Sequence, residues 1–149
     1  MTSAGSAARG SASVEVAILL PAFIMLMVVA SFVGRVTIAQ NAVDLAAHDG
    51  ARAASIERES GLAAAAATDA ANDTLDELDV LCVNRTITPA VDAAFANDEL
   101  GPQDGPPPVV TVTVECVLDF VGFPFIGSTT TTVRASYTSP LDWYRGRSL

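Results

Sequence analysis

The chain has 149 residues, half of them hydrophobic and 17% charged, with a formal net charge of -9. That length allows one modest domain beside a membrane segment and no second domain. An acidic chain whose eight basic residues are all arginine, and scattered, repels phosphate backbones, so no nucleic-acid partner is expected.

The chain opens with small polar residues from Met1 to Gly10, which carry one charge, Arg9. Ser11-Ala12-Ser13-Val14-Glu15 follows, and then a run from Val16 to Val33 without a charge. As a helix that run is about 27 Å long, close to the hydrocarbon thickness of a bilayer. A core helix of a soluble protein shows a polar face within three turns; here Ser31 is the only polar side chain. A single membrane-spanning helix is therefore expected, ended by Gly34 and Arg35. Pro21 lies inside it, either as a packing kink or as a proline placed early enough in the helix to be tolerated. Glu15 is the odd residue. A carboxylate at the edge of an apolar span is costly unless it reaches the interface or finds a partner.

Arg9-Gly10, four residues, Glu15 and a long apolar helix together resemble a type IV prepilin signal. More specifically, Gly10-Ser11-Ala12-Ser13-Val14-Glu15-Val16-Ala17-Ile18-Leu19-Leu20-Pro21 resembles the start of TadE-like proteins. So does the alanine-rich run from Asn41 to Ala54. The resemblance covers Arg9 to about Ala54. It implies a membrane-anchored minor pseudopilin of a bacterial tight-adherence pilus or a related secretion machine. In that family a prepilin-type peptidase cuts after the glycine, which implies cleavage between Gly10 and Ser11 and leaves Glu15 one helical turn from the new α-amine. Glu15 then pairs with its own or a neighbour's amine and so sets the helix register. The major pilins of the system carry tyrosine after this glutamate. Val16 stands there in this chain, which points to a minor component.

The implied organisation is a leader at 1–10, a transmembrane helix at 11–34 and an extracytoplasmic domain at 35–149, with helices over 35–79 and a sheet over 80–149. The implied partners are the membrane, the prepilin-type peptidase, and other pilins and pilus assembly proteins. The expected location is the bacterial cytoplasmic membrane, crossed once, with the C-terminal domain outside and possible presence in surface pili. Two other readings stay open: an unprocessed, signal-anchored scaffold, and a secreted binding domain released by cleavage after Val28-Val29-Ala30.

Past Arg35 the helical period continues to about Ile56. Gly61 is the expected break, and Leu62 to Leu78 a second helix. Ala46, Gly50 and Ala54 form one stripe of small residues, and Ala63, Ala67 and Ala71 another. Such stripes suit two closely approaching antiparallel helices, or they reflect alanine's helix propensity alone. The acids from Asp69 to Asp79 read as a solvated face, because no loop has calcium-ligand spacing.

From Val80 the pattern becomes strand-like. Val80 to Thr88 reads as a strand stopped by Pro89, and Ala90 to Leu100 as a short helix or loop. Gly101 to Pro108 is a breaker. Val109 to Phe120 and Ser128 to Tyr137 are rich in β-branched residues and read as a hairpin, with an apolar turn from Gly122 to Gly127. The fold class is α+β: a long N-terminal helix, a second helix and an antiparallel sheet of about three strands. Beyond a membrane, Cys82 and Cys116 read as one disulfide. Trp143 and Tyr144 in the tail are expected to cap the sheet.

No catalytic constellation is present. His48 is the only histidine, and no phosphate loop, nucleophile elbow or metal-ligand spacing occurs. No enzymatic activity, cofactor, metal or small-molecule substrate is expected; the bond chemistry is expected at Gly10, performed by the peptidase.

Overall fold

A computed structural model describes residues 8–96, 107–123 and 127–141. The elements in chain order are α1 (Ala8–Ile56), α2 (Ser60–Glu77), β1 (Cys82–Ala90), α3 (Asp92–Phe95), β2 (Val109–Phe123) and β3 (Gly127–Pro140). The chain divides into two units, Met1–Arg35 and Val36–Leu149, so α1 contributes to both. The α+β class, the two long helices and the three-stranded antiparallel sheet agree with the sequence reading.

Within the second unit, α1 buries Ala39, Ala42, Val43, Ala46, Ala47, Ala51 and Ala54. These positions recur every three or four residues, the period of one helical face. A three-residue link, Glu57 to Glu59, leads into α2, which buries Ala63, Ala67, Ala71 and Leu75 at four-residue spacing. The break thus falls before Gly61, which sits in the first turn of α2. Glycine is tolerated there because the first N–H groups of a helix have no intrahelical acceptor to lose.

The two small-residue stripes meet. A Cβ built on Gly50 would lie 2.9 Å from the Ala67 carbonyl oxygen, 3.4 Å from Ala71 Cβ and 3.3 Å from Val112 Cγ1 on β2. Close approach of α1, α2 and the sheet at this point therefore depends on the missing side chain. Propensity alone does not account for these alanines and this glycine, since their faces form the contact.

The C-terminus of α2 is closed by backbone geometry. Asp79 adopts φ 50, the left-handed conformation common one residue past a helix cap. Val80 N–H donates to the Leu75 carbonyl (3.2 Å) and Asp79 N–H to the Asp76 carbonyl (3.1 Å). Leu75 and Val80, the residues this turn brings together, are both buried, completing the apolar contact of the motif.

The sheet order is β1-β2-β3, antiparallel throughout. Even-numbered residues of β2, from Val110 to Phe120, face inward and are buried with Val133 and Ala135 of β3. The opposite face is polar. Thr111 and Thr138 hydroxyls lie 3.0 Å apart, Thr113 donates to Ser136 at 3.1 Å, and Arg134 pairs with Glu115 at 3.2 Å. Each of these is a directly opposed cross-strand pair, the unit that stabilises a sheet face.

Five strand ends differ from the sequence reading: β1 starts at Cys82 instead of Val80, β2 runs on to Phe123, β3 starts at Gly127, and the other two ends involve proline. β1 continues through Pro89 to Ala90. It is an edge strand, so a residue without an N–H need not break the ladder. β3 extends to Pro140, which pairs with Val109, where proline ends the strand. Trp143, Tyr144 and most of the apolar turn after Phe123 lie outside the described residues.

Candidate functional site

The functional residues expected from sequence fall in two separate places: Gly10, Ser11 and Glu15 in the first unit, Cys82 and Cys116 in the second.

In the first unit, α1 begins at Ala8 and includes Gly10 and Ser11. Glycine has the lowest helix propensity after proline, so the turn around the Gly10–Ser11 bond is cheap to unwind. Glu15 is exposed, and from Val14 onward the apolar side chains are exposed around the whole circumference. Val14, Leu19, Phe23, Met27 and Val33, each from a different turn, are all more than half uncovered. An apolar helix without a polar face needs lipid or other apolar helices around it. This is the one helix among the described residues long and apolar enough to cross a membrane. Its single internal hydroxyl is satisfied locally, since Ser31 Oγ donates to the Met27 carbonyl at 2.8 Å. The hydroxyl thus adds no unsatisfied donor in a hydrocarbon environment. Pro21 lies inside the helix and leaves the Ala17 carbonyl without its usual N–H donor.

In the second unit, Cys82 and Cys116 are bonded, with Cα atoms 5.4 Å apart and 34 positions separating them. The bond joins β1 to β2 beside a register irregularity between Cys82 and Asn84. Cys116 is fully buried on the inner face of the sheet. Closing a loop of this size stabilises by about 4 kcal/mol in the chain-entropy model, a large share of the total for a small domain.

Two polar links tie the helices to the sheet and a third ties α2 to α1, and none is visible in the sequence, because each joins residues on different elements with no local pattern to mark the pair. The Gln40 amide donates to the Arg134 carbonyl on β3 at 3.0 Å. Arg85 on β1 pairs with Asp76 on α2 at 2.7 Å. The Thr74 hydroxyl lies 2.9 Å from the Ala70 carbonyl and 3.1 Å from Asp49 Oδ2, so one proton serves two acceptors. His48 Nδ1 is 3.2 Å from Asp49 Oδ1, and its ring meets Tyr137 edge-on with centroids 4.5 Å apart. Histidine, carboxylate and hydroxyl are thus neighbours, but the carboxylate lies between the other two. The imidazole does not face the hydroxyl, as a base activating a nucleophile must. The cluster fastens α1 to α2 and β3. Among the described residues no group of His, Cys, Asp and Glu is placed to hold a metal ion.

No curated protein and no solved structure matches the chain. Residues 10–52 match the family of TadE-like proteins. The matched segment takes in Glu15, the uncovered apolar helix and the first buried alanine face. Together with that helix, the match supports a membrane-anchored protein associated with the Tad pilus and its components. Over residues 10–52, less than a third of its length, the chain is similar to TadE-like proteins.

Proposed function

We propose that the chain is a minor pseudopilin, delivered to the cytoplasmic membrane with a prepilin-type leader and cut between Gly10 and Ser11 by a prepilin-type peptidase. Residues 11–34 then cross the bilayer and residues 35–149 form the extracytoplasmic domain. The observation that carries this reading is the family match over residues 10–52 coinciding with a helix whose apolar side chains are uncovered on every side. Such a surface suits lateral packing against the helices of other pilins and assembly proteins.

The chemistry follows from the helix. Cleavage frees an α-amine at Ser11. Glu15, four residues on, lies one turn away on the same face. A carboxylate entering an apolar bundle is costly alone and much less so beside an ammonium group. Glu15 therefore favours one axial register, in which it meets its own amine or that of the next subunit. The bonded Cys82–Cys116 pair suits an oxidising compartment outside the membrane. The role is structural, with the protein acting as substrate of the peptidase.

The test is the intact mass and N-terminal peptide of the protein from native membranes. A mature chain beginning at Ser11 is expected. A chain retaining residues before Gly10 replaces this reading with an unprocessed, signal-anchored scaffold. A chain beginning at Ser31, in the soluble fraction, replaces it with a secreted domain.

A further inference from the structure

We infer that one end of the second unit, carrying Ile38, Leu81, Val83 and Val121, rests in the lipid interface of the membrane from which the chain emerges. The inference rests on the reading that residues 11–34 span the bilayer.

The direction of the sheet along α1 is fixed by two contacts inside the second unit. Gly50 packs against Val112. Gln40 reaches the carbonyl of Arg134, whose partner on β2 is Glu115. Moving from Gly50 to Gln40 on the helix thus corresponds to moving from Val112 to Glu115 on β2. The remainder of β2, toward Val121, therefore lies on the side of Val36, where this unit begins. Leu118, the partner of Cys82, is about 10 Å beyond Glu115 at strand rise. Val36 is about 6 Å beyond Gln40 at helix rise. The β1 start and the β2 end reach at least as far as the point where the chain enters the unit, and the uncharged run ends three residues earlier, at Val33.

Exposure is concentrated at that end. Leu81 is 82% exposed, Val121 72%, Val83 68% and Ile38 67%, and no other described large apolar residue of this unit exceeds 53%. A single exposed apolar residue is ordinary. Here the four most exposed in the unit lie at one end, whereas the middle of the outer sheet face presents threonine and serine. The occupant is lipid, because the patch lies at the end where the chain enters the unit, three residues past the uncharged run; the net charge of -9 and the exposed Asp119 rule out electrostatic attraction as the driving force. Attraction to acidic headgroups is excluded, and the contact is apolar, insensitive to salt.

The experiment uses the full chain in a Trp143→Phe background, reconstituted into phosphatidylethanolamine–phosphatidylglycerol vesicles with lipids brominated near the top of their acyl chains. Val83→Trp, Val121→Trp and Leu81→Trp report the patch. Thr88→Trp, on the outer face farther along β1, reports the domain away from it, and Val29→Trp reports the span. All reporter positions are exposed, and far-UV circular dichroism with an intact disulfide verifies the fold. Fluorescence of the patch variants is expected to fall by about twofold, at low and high salt alike, as apolar side chains bury at the acyl boundary; Thr88→Trp is expected to stay bright. Quenching of Val29→Trp without quenching of the patch variants overturns the inference while leaving the anchor intact. Unquenched patch variants whose emission shifts blue with rising protein density overturn it in favour of a second copy on the patch. If Val29→Trp is itself unquenched, the membrane-spanning reading fails first and this inference falls with it.

Discussion

The two parts of α1 are one type of secondary structure serving two solvents. From Val14 to Val33 most side chains are large, apolar and exposed. From Ala39 to Ala54 the covered residues are almost all alanine, with one valine and one glycine, while Asp44 and Arg52 are exposed on the other face. The contrast separates two meanings of an apolar helix. In the first part hydrophobicity is a surface property, and side-chain size adds area that can meet lipid or neighbouring helices. In the second part smallness matters more, because the area gained comes from letting α2 and a valine-lined sheet approach closely. A substitution should act by different physics in each part.

The widest separation comes from adding one carboxylate to each unit. Val29→Asp puts a charge within the uncovered apolar run and is expected to cost about 2.5–3.5 kcal/mol of insertion free energy, read as a large loss from the alkaline-extracted membrane pellet. Ala65→Asp, on the exposed face of α2, is expected to leave membrane retention unchanged and shift stability by less than about 0.5 kcal/mol. Equal losses from the membrane for both would collapse the comparison. A finer separation uses glycine to alanine. At Gly50 the added Cβ would fall 2.9 Å from a backbone oxygen, so the helices must part, and about 1–3 kcal/mol of destabilisation is expected. At Gly61 nothing lies within 4 Å, and the same change should stabilise by about 0.5–1 kcal/mol through helix propensity. Urea denaturation of the detergent-solubilised chain measures both, and opposite signs are the expected result.

What the sequence revealed tracks how local each feature is. The apolar run, the alanine faces and the β-branched strands are periodic patterns, so α1, α2 and the hairpin of β2 and β3 were legible with ends displaced by a few residues. Gly61 has the look of a breaker, which puts the expected α2 start two residues late, although a first helical turn tolerates glycine. The expected end of β1 falls one residue before Pro89, because an edge position cannot be known before the sheet is assembled. The meaning of the two small-residue stripes was undecidable in sequence: alanine is chosen both for propensity and for close approach, and only the Gly50–Ala67 contact distinguishes them. The links Gln40–Arg134, Asp49–Thr74 and Arg85–Asp76 carry no local signature at all. For the candidate site, the apolar helix was legible from composition, whereas the apolar end of the sheet emerged only once the strand direction along α1 was known.

The smallest expected effect concerns the joint where α2 gives way to the sheet. Asp79 holds φ 50, and an L side chain there meets steric resistance that glycine lacks. Aspartate tolerates this region better than most residues, so the strain relieved by Asp79→Gly is modest. Glycine also gives the unfolded chain more freedom, which offsets part of the gain. The Asp79 side chain has no hydrogen-bond or ion-pair partner in the described structure; the bonds that close the turn come from the backbone N–H groups of Asp79 and Val80 and survive the substitution. Asp79→Gly should therefore raise stability by about 0.5–1 kcal/mol, seen as a higher urea midpoint with an unchanged slope. Asp79→Val should lower it by about 1–2 kcal/mol, because β-branching worsens the same clash. If both variants unfold at the parent midpoint, the left-handed turn contributes nothing to holding Leu75 and Val80 together, and the order at this joint must come from the Cys82–Cys116 bond.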